Sequence, residues 1–265
     1  MDRPEILLTN DDGIGSVGLQ ALQASLAKVA DVTVVAPAED KSAIGRAISN
    51  EVRLVEQDLG YAIEGTPTDC VVAGIEGLDL DPDLVVAGIN EGANIGAYVL
   101  GRSGTVSAAV EAAFFGVPAI ATSLYVDVGE DVSYQDLELT AEDFTEAIRA
   151  TTYLVRHALE AGVFEHADYL NVNASPPGDE PAEMVVTTPS RAYDMGAARN
   201  GDAITFQDNM WTRMKSGRIP DDEGVDRRAV VDGKVSVSPL TAPHTTEHHE
   251  ALDALAAAFP ESAPK

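Results

Sequence analysis

The feature that most limits the fold of this 265-residue chain is a regular alternation of short apolar runs with helix-like segments. The runs "EILLTN" and "DVTVVAP" end in turn residues, and "GLQALQASLAKVA" between them has apolar residues at helical spacing. The alternation continues through "DPDLVVAGIN", "GTVSAAVEAAFFG" and "VPAIATSL". Strands that alternate with helices indicate parallel βαβ units. The sequence therefore predicts an α/β protein with a Rossmann-like, doubly wound, mostly parallel sheet.

The character of the sequence changes beyond residue 176. A helical segment, "AEDFTEAIRATTYLVRHALEAG", and a buried strand, "ADYLNVNAS", come first, and then "AEMVVTTPS", "DAITFQDNMW" and "DGKVSVSPL" resemble separate β-segments. The tail "TEHHEALDALAAAF" predicts a closing helix capped by Thr245 or Thr246. We expect a Rossmann-like core over residues 1–175 and a C-terminal β-arm with a closing helix over residues 176–265. Because a lone hairpin is marginal in water, the arm is expected to pair with another subunit.

The charge balance is strongly acidic, with 17 Lys and Arg against 44 Asp and Glu and a formal net charge of −27. The acids are spread along the chain, which favours a surface adapted to high salt over an acidic tail for basic partners. This charge argues against a stable complex with nucleic acid. No apolar run approaches the roughly 20 residues of a membrane span, and the stretch before the first strand lacks a signal peptide. The expected location is therefore cytoplasmic. Cys70 is the sole cysteine, so an intrachain disulfide is excluded.

The loop after the first strand, "TNDDGIGSVG", contains a glycine pattern of dinucleotide sites. Gly13, Gly15 and Gly18 fit G-x-G-x-x-G. Such a site also needs an acidic residue at the end of the second strand, which here ends in Ala-Pro. Asp11 and Asp12 would in addition repel a pyrophosphate, by several kcal/mol at about 4 Å and an effective dielectric constant near 20. The sequence therefore disfavours a NAD-type site.

Two adjacent carboxylates on a tight turn are ligands that suit a hard divalent cation. Mg²⁺ takes oxygen ligands and keeps several waters, so it needs few protein groups. Aspartate is also a common turn former and helix cap. The pair Asp11 and Asp12, taken alone, leaves both interpretations open.

Polar residues also follow other predicted strands. Ser42 follows the second strand, and Asn90 and Asn94 lie four apart among glycines after "DLVVAG". Residues 103–105, Ser-Gly-Thr, stand at the start of a helix, where free N–H groups and the helix dipole favour an anion. Each feature is common in ordinary loops, but together they predict one site at the carboxyl edge of the sheet.

Five ordered motifs carry a resemblance to a known family. "ILLTNDDGI", "VVAPAEDKSAIG", "EGTPTDCV", "PDLVVAGINEGANIG" and "SGTVSAAVEAAFFGVPAIA" resemble the SurE family, the survival-protein E nucleotidases. The resemblance covers the first 125 residues and resumes weakly at "DRRAVVDGKVSVSPLT". It implies a metal-dependent phosphatase of nucleoside 5′- or 3′-monophosphates, forming homodimers or homotetramers through C-terminal segments. The oxygen ligands suit either Mg²⁺ or Mn²⁺ as the cation.

The resemblance also implies roles for individual residues. The family's metal ligands fall on Asp11, Asp12, Ser42 and Asn90. Its phosphate-contacting region falls on Asn94, Ser103, Gly104 and Thr105. Asp11 is favoured over Asp12 as the general base, and an aspartyl-phosphate intermediate is the rival mechanism. Arg102 stands where the family usually has Tyr, which leaves the substrate preference open.

One further interpretation remains beside catalysis. A metal-dependent nucleotide-binding or sensing module would keep the same pocket without turnover. Thr66 and Asp69, in "GTPTDC", are assigned to loop structure rather than to chemistry. The five histidines show no zinc-protease pattern, which disfavours a zinc hydrolase.

Overall fold

The computed structural model describes residues 3–126, 138–244 and 250–258. Its strands are β1 (Glu5–Thr9), β2 (Asp31–Pro37), β3 (Leu54–Gln57), β4 (Gly60–Ile63), β5 (Leu84–Asn90), β6 (Ala119–Leu124), β7 (Tyr169–Ala174), β8 (Met184–Val186), β9 (Met195–Asn200), β10 (Ala203–Asp208) and β11 (Val235–Leu240). Its α-helices are α1 (Val17–Leu26), α2 (Pro67–Val72), α3 (Ala97–Leu100), α4 (Gly104–Phe114), α5 (Thr145–His157), α6 (Asn209–Lys215), α7 (Asp226–Val231) and α8 (Glu250–Ala258). A π-helical turn, Ala73–Gly77, continues α2, and a 3₁₀ turn, Val163–Glu165, precedes β7.

One large sheet has the strand order β3-β4-β2-β1-β5-β6-β7-β11-β8. The six strands from β4 to β7 in this order are parallel, whereas β3 and β11 pair antiparallel with β4 and β7. From β1 the chain first adds β2, β3 and β4 on one side of the sheet. It then returns to the other side of β1 and adds β5, β6 and β7 in sequence. The predicted doubly wound, mostly parallel sheet is confirmed, with its topological switch point between β1 and β5.

Helices cover both faces of the sheet, which explains the continuous apolar runs of the central strands. On one face, Leu19 and Leu22 of α1 pack with Leu154 of α5 and with Phe144, the residue before α5. On the other face, α2 and α4 form a second buried cluster that includes Val71. Strands such as β5, buried at six of seven positions, therefore contain almost no polar residues until they reach the edge.

The C-terminal segment contributes to more than one part of the molecule. β8 and β11 extend the large sheet, while β9 and β10 form a separate antiparallel hairpin. The segment "DAITFQDNMW" is a strand only to Asp208, because the carboxylate of Asp208 caps α6 and begins a helix there. "DRRAVV" is likewise helical, as α7. The division at residue 175 stays a prediction.

The predicted closing helix is present as α8. Its proposed caps, Thr245 and Thr246, lie outside the described residues. Within the described ranges, every helix is too short or too polar to cross a bilayer.

Candidate functional site

The candidate site lies at the switch point of the sheet, where β1 and β5 are parallel neighbours. Asp11 and Asp12 follow β1 after one residue, and Asn90 is the last residue of β5. Ligands of doubly wound sheets bind in the crevice beyond the carboxyl ends of such strands. The fold therefore brings these three predicted residues to the position where a ligand is expected.

Asp11 is held against the first turn of α4. The Thr105 hydroxyl donates a hydrogen bond to Oδ1 of Asp11, and Asp11 itself is only 3% exposed. A Cβ placed on Gly104 would lie 2.8 Å from both Cβ and Oδ2 of Asp11, so only glycine fits here without a shift. Burial raises the pKa of the Asp11 carboxyl, hydrogen bonds from Thr105 partly offset that rise, and the charge of Asp40 adds to it.

Asp12 is held from the neighbouring strand. Its Oδ2 accepts a hydrogen bond of 3.1 Å from the backbone N–H of Glu91. Burial, followed by the negative charge of Asp11, raises the pKa of Asp12 well above its usual value. Burial and the charge of Asp40 also raise the pKa of Glu91. Because these like charges destabilise one another, a cation between the carboxylates would favour the ionised pair.

The loop after β2 approaches the same turn. The N–H of Lys41 donates to the Asp11 carbonyl at 2.7 Å. Asp40 Oδ1 accepts hydrogen bonds from the Ser42 N–H at 2.8 Å and from the Ser42 hydroxyl at 2.6 Å. Since that hydroxyl proton is directed to Asp40, the Ser42 oxygen keeps its lone pairs for another partner.

The chemistry of these groups fits a hard divalent cation. Asn90 uses its Nδ2 as a donor to the Gly92 carbonyl, which leaves Oδ1 as an acceptor. Two carboxylates, one amide carbonyl and one hydroxyl are the oxygen donors that Mg²⁺ and Mn²⁺ accept. Across the part of the chain that the structure describes, there is no group of three or more His, Cys, Asp and Glu arranged for a metal.

The residues expected at phosphate are close to the same turn but have partners inside the protein. Ser103 caps α4, with its Oγ accepting the Val106 N–H at 3.0 Å. The Thr105 hydroxyl is directed to Asp11. Asn94 is buried, and its Nδ2 donates to Ser123 Oγ at 2.9 Å. These side chains therefore fix the frame of the site, and the positive end of α4 remains as the feature that favours an anion.

The glycines of the apparent dinucleotide pattern have structural roles. Gly13 has φ +95° and packs against the backbone of Glu39 and Asp40. Gly18 faces the carbonyl of Ile89, where a Cβ would clash. Both glycines permit close packing of α1 and the loops around the switch point.

Thr66 and Asp69 have the structural role that was expected of them. They form a capping box at the start of α2, and Asp69 also accepts hydrogen bonds from the N–H and hydroxyl of Ser49. The side chains that sequence reasoning missed are Asp40 and Glu91. Both stand inside the quoted motifs, but their spacing does not distinguish them from other acids of this acidic chain.

Comparisons with known proteins identify the family of the chain. The family model "Survival protein SurE" matches residues 6–195. The 5′-nucleotidase SurE of Haloarcula marismortui is 64% identical over 98% of this chain and 96% of its own length. That of Haloquadratum walsbyi is 59% identical over 97% of each chain. The crystal structure of the SurE protein from Aquifex aeolicus covers 98% of this chain and all of its own, with a TM-score of 0.74 and 30% identity. The chain belongs to the SurE family.

Proposed function

We propose that the protein is a divalent-metal-dependent 5′-nucleotidase that hydrolyses nucleoside 5′-monophosphates to a nucleoside and phosphate. The observation that carries the proposal is the pair of adjacent carboxylates, the buried Asp11 and the half-buried Asp12, at the switch point beside the N-terminus of α4. The relatives named 5′-nucleotidase SurE support the same activity.

Asp11, Asp12, Ser42 and Asn90 are the residues proposed to hold Mg²⁺ or Mn²⁺. When bound, the ion supplies positive charge for phosphate oxygens and lowers the pKa of a water molecule. The raised pKa values of the two aspartates support this assignment, because adjacent like charges that are also partly removed from water call for a compensating cation.

The protein's own groups position the reactants. The N-terminus of α4, over Ser103, Gly104 and Thr105, stabilises negative charge on the equatorial phosphate oxygens, and Asn94 is the further residue proposed to contact phosphate. Asp11 is the proposed general base for the attacking water, with Asp12 as the alternative. An aspartyl-phosphate intermediate ranks second, because a carboxylate engaged with a cation is a poor nucleophile.

The test is phosphate release from AMP in high salt, with Mg²⁺ or Mn²⁺ and with EDTA. We expect turnover that requires metal and falls by about 100-fold or more in Asp12→Asn. Asp83→Asn is the matched control, since Asp83 accepts a hydrogen bond from the Glu5 N–H at the opposite edge of the sheet. Intact metal binding without release from any nucleoside monophosphate would favour the sensing module instead.

We also propose a homodimer or homotetramer that forms through residues 176–265. In the β9–β10 hairpin, the side chains of Ile204 and Phe206 are 57% and 72% exposed. An isolated hairpin is marginal in water, so a partner surface would stabilise it. Light scattering should give a multiple of the 27.8 kDa chain mass, and Phe206→Ser should shift the protein to a smaller species. A monomeric wild-type protein would overturn this assignment.

The proposed location is the cytoplasm of a salt-adapted cell. The net charge of −27 supports this, because a highly acidic surface keeps proteins soluble in concentrated salt. The same charge opposes a stable nucleic-acid complex. Unfolding followed across a KCl series should show stability that increases towards molar salt.

A further inference from the structure

The buried carboxylate of Asp226 connects the C-terminal segment to the loop that follows β5. Asp226 is fully buried and accepts three backbone hydrogen bonds. Its Oδ2 accepts the Gly96 N–H at 2.7 Å. Its Oδ1 accepts the N–H groups of Ser190 at 2.9 Å and Arg227 at 2.6 Å. Both carboxylate oxygens are therefore engaged, and one of them is engaged with the loop of the candidate site.

Gly96 lies between the two parts of the proposed phosphate pocket. Asn94 precedes it by two residues, and α3 follows it directly. The Val99 N–H donates to the Gly96 carbonyl at 3.0 Å, and the Ser103 N–H donates to the Val99 carbonyl at 3.1 Å. Consequently, the position of the Gly96 peptide affects both Asn94 and Ser103, the residue that caps α4.

A second contact limits how Gly96 can move. The Arg227 side chain is 1% exposed, and its Nη1 donates to Ser190 Oγ at 2.6 Å and to Asp221 at 3.1 Å. A Cβ on Gly96, whose φ is +87°, would lie 2.8 Å from Nη2 of Arg227. The Ser190 carbonyl also accepts the Ala97 N–H at 2.8 Å. The C-terminal segment therefore holds the Gly96 peptide from several directions.

The metal side of the site depends on different contacts. Asp11 is held by Thr105, and Asp12 by the N–H of Glu91. Asn90 is part of β5 itself. The hydrogen bonds described for Asp226 all come from backbone N–H groups outside this set.

We propose that Asp226 is a positioning residue for the phosphate side of the site, acting through Gly96 on Asn94 and on Ser103. The inference rests on the proposed function, because it concerns binding of the phosphate substrate. It assigns to residues 176–265 a role in the site of their own chain. Asparagine in this position would have one acceptor oxygen in place of two, so an NH₂ group would face either Gly96 or the Ser190 and Arg227 donors.

The experiment compares Asp226→Asn with Asp168→Asn at a temperature where both are folded. Asp168 is the control because its carboxylate also accepts a backbone N–H, that of Ala242, at the opposite edge of the sheet. For Asp226→Asn we expect kcat/KM for AMP to fall by about 100-fold, as misplaced reacting groups do. Inhibition by inorganic phosphate should weaken in parallel, while Mn²⁺ affinity without substrate stays unchanged. Asp168→Asn should leave all three quantities unchanged.

Unchanged kcat/KM and phosphate inhibition in Asp226→Asn would overturn the inference. A joint loss of phosphate and Mn²⁺ affinity would overturn it as well, since that pattern indicates general loosening. Ser190→Ala is the milder variant if Asp226→Asn does not fold, because it removes the hydroxyl contacts to Arg227, Asp221 and the Ala192 N–H but leaves the Ser190 N–H bond to Asp226. It should weaken phosphate inhibition in the same direction and by a smaller factor.

Hydrogen exchange separates this inference from the proposed function. We expect amides of residues 91–97 to exchange faster in Asp226→Asn, with residues 5–12 unaffected. If the wild-type protein releases no phosphate with metal present, the proposed function fails, and exchange together with phosphate binding still decides the role of Asp226. Unchanged exchange in residues 91–97 would show that Asp226 does not position the loop.

Discussion

The hydroxyl of Thr105 donates a hydrogen bond to Oδ1 of Asp11, which joins the first turn of α4 to the turn after β1. Thr105 is completely buried. The resemblance to the SurE family places Thr105 in the phosphate-contacting region, whereas its side chain contacts the proposed metal ligand. Its contribution to activity is therefore expected to act through Asp11.

Thr105→Val tests this role, because valine has nearly the same shape and lacks the hydroxyl. We expect Mn²⁺ affinity and nucleotidase activity to fall by about 10- to 100-fold, as they do when an outer partner of a metal ligand is removed. Isothermal titration with Mn²⁺ and steady-state kinetics would measure both. Thr151→Val is the control, since Thr151 is an equally buried threonine whose hydroxyl bonds to Ala147 within α5. Equal losses in the two variants would contradict a specific role for Thr105.

Gly104→Ala should displace the Asp11 carboxylate. The new Cβ would lie 2.8 Å from Asp11 Oδ2, a distance that real contacts do not reach. We expect activity to fall by about 100-fold, since a 1 Å displacement of a reacting group has that effect. Gly101→Ala is the matched control, because a Cβ there meets nothing within 4 Å. Activity assays of both variants decide the matter, and an active Gly104→Ala enzyme would show that Asp11 has room to move.

Burial on both faces explains why the central strands could be predicted from the sequence. β1 and β5 are buried nearly throughout and therefore appear as apolar runs. β3 is exposed at all four positions, so no apolar run marks it. β9 was missed for the same reason, being mostly exposed. Each of these strands is defined by pairing with the next strand in the chain, β3 with β4 and β9 with β10, and not by an apolar run.

The sequence predicted which strand ends meet but not where the side chains are directed. Motif order placed Asp11 and Asn90 at one edge of one sheet, and the structure brings them there. The order of the motifs did not indicate that the Thr105 hydroxyl bonds to Asp11. Nor did it separate Asp226 and Arg227 from surface charges, because both stand in a polar stretch and only tertiary packing buries them.

Asp69→Asn should lower stability at neutral pH and much less in acid. Burial tends to raise the pKa of Asp69, but hydrogen bonds from Ser49 and Thr66 outweigh it, and the pKa lies below the usual 3.8. A carboxyl with a lowered folded-state pKa stabilises the protein above its unfolded-state pKa, and this contribution is lost as pH falls through the folded-state value. We expect a loss of about 1–2 kcal/mol at pH 7, shrinking below about pH 4. Denaturant unfolding of Asp69→Asn and wild type across pH 3–7 in molar KCl measures this loss. A stability difference that does not change with pH would show that the charge of Asp69 is not its cause.

Asp12→Asn should stabilise the metal-free protein and destabilise it relative to wild type when metal is present. Without a cation, burial and Asp11 oppose the charge of Asp12, and asparagine removes that charge while its Oδ1 still accepts the Glu91 N–H. We expect the free energy of unfolding in EDTA to rise by about 1–2 kcal/mol, part of the repulsion between two close charges. With Mn²⁺ at 100 times its Kd, the wild-type protein gains about 2.7 kcal/mol and the variant gains little. Denaturant unfolding of both proteins in EDTA and in Mn²⁺ measures this reversal. If Asp12→Asn is the less stable protein in EDTA as well, the carboxylate has a structural role, and the assignment of the pair to a cation loses its electrostatic basis.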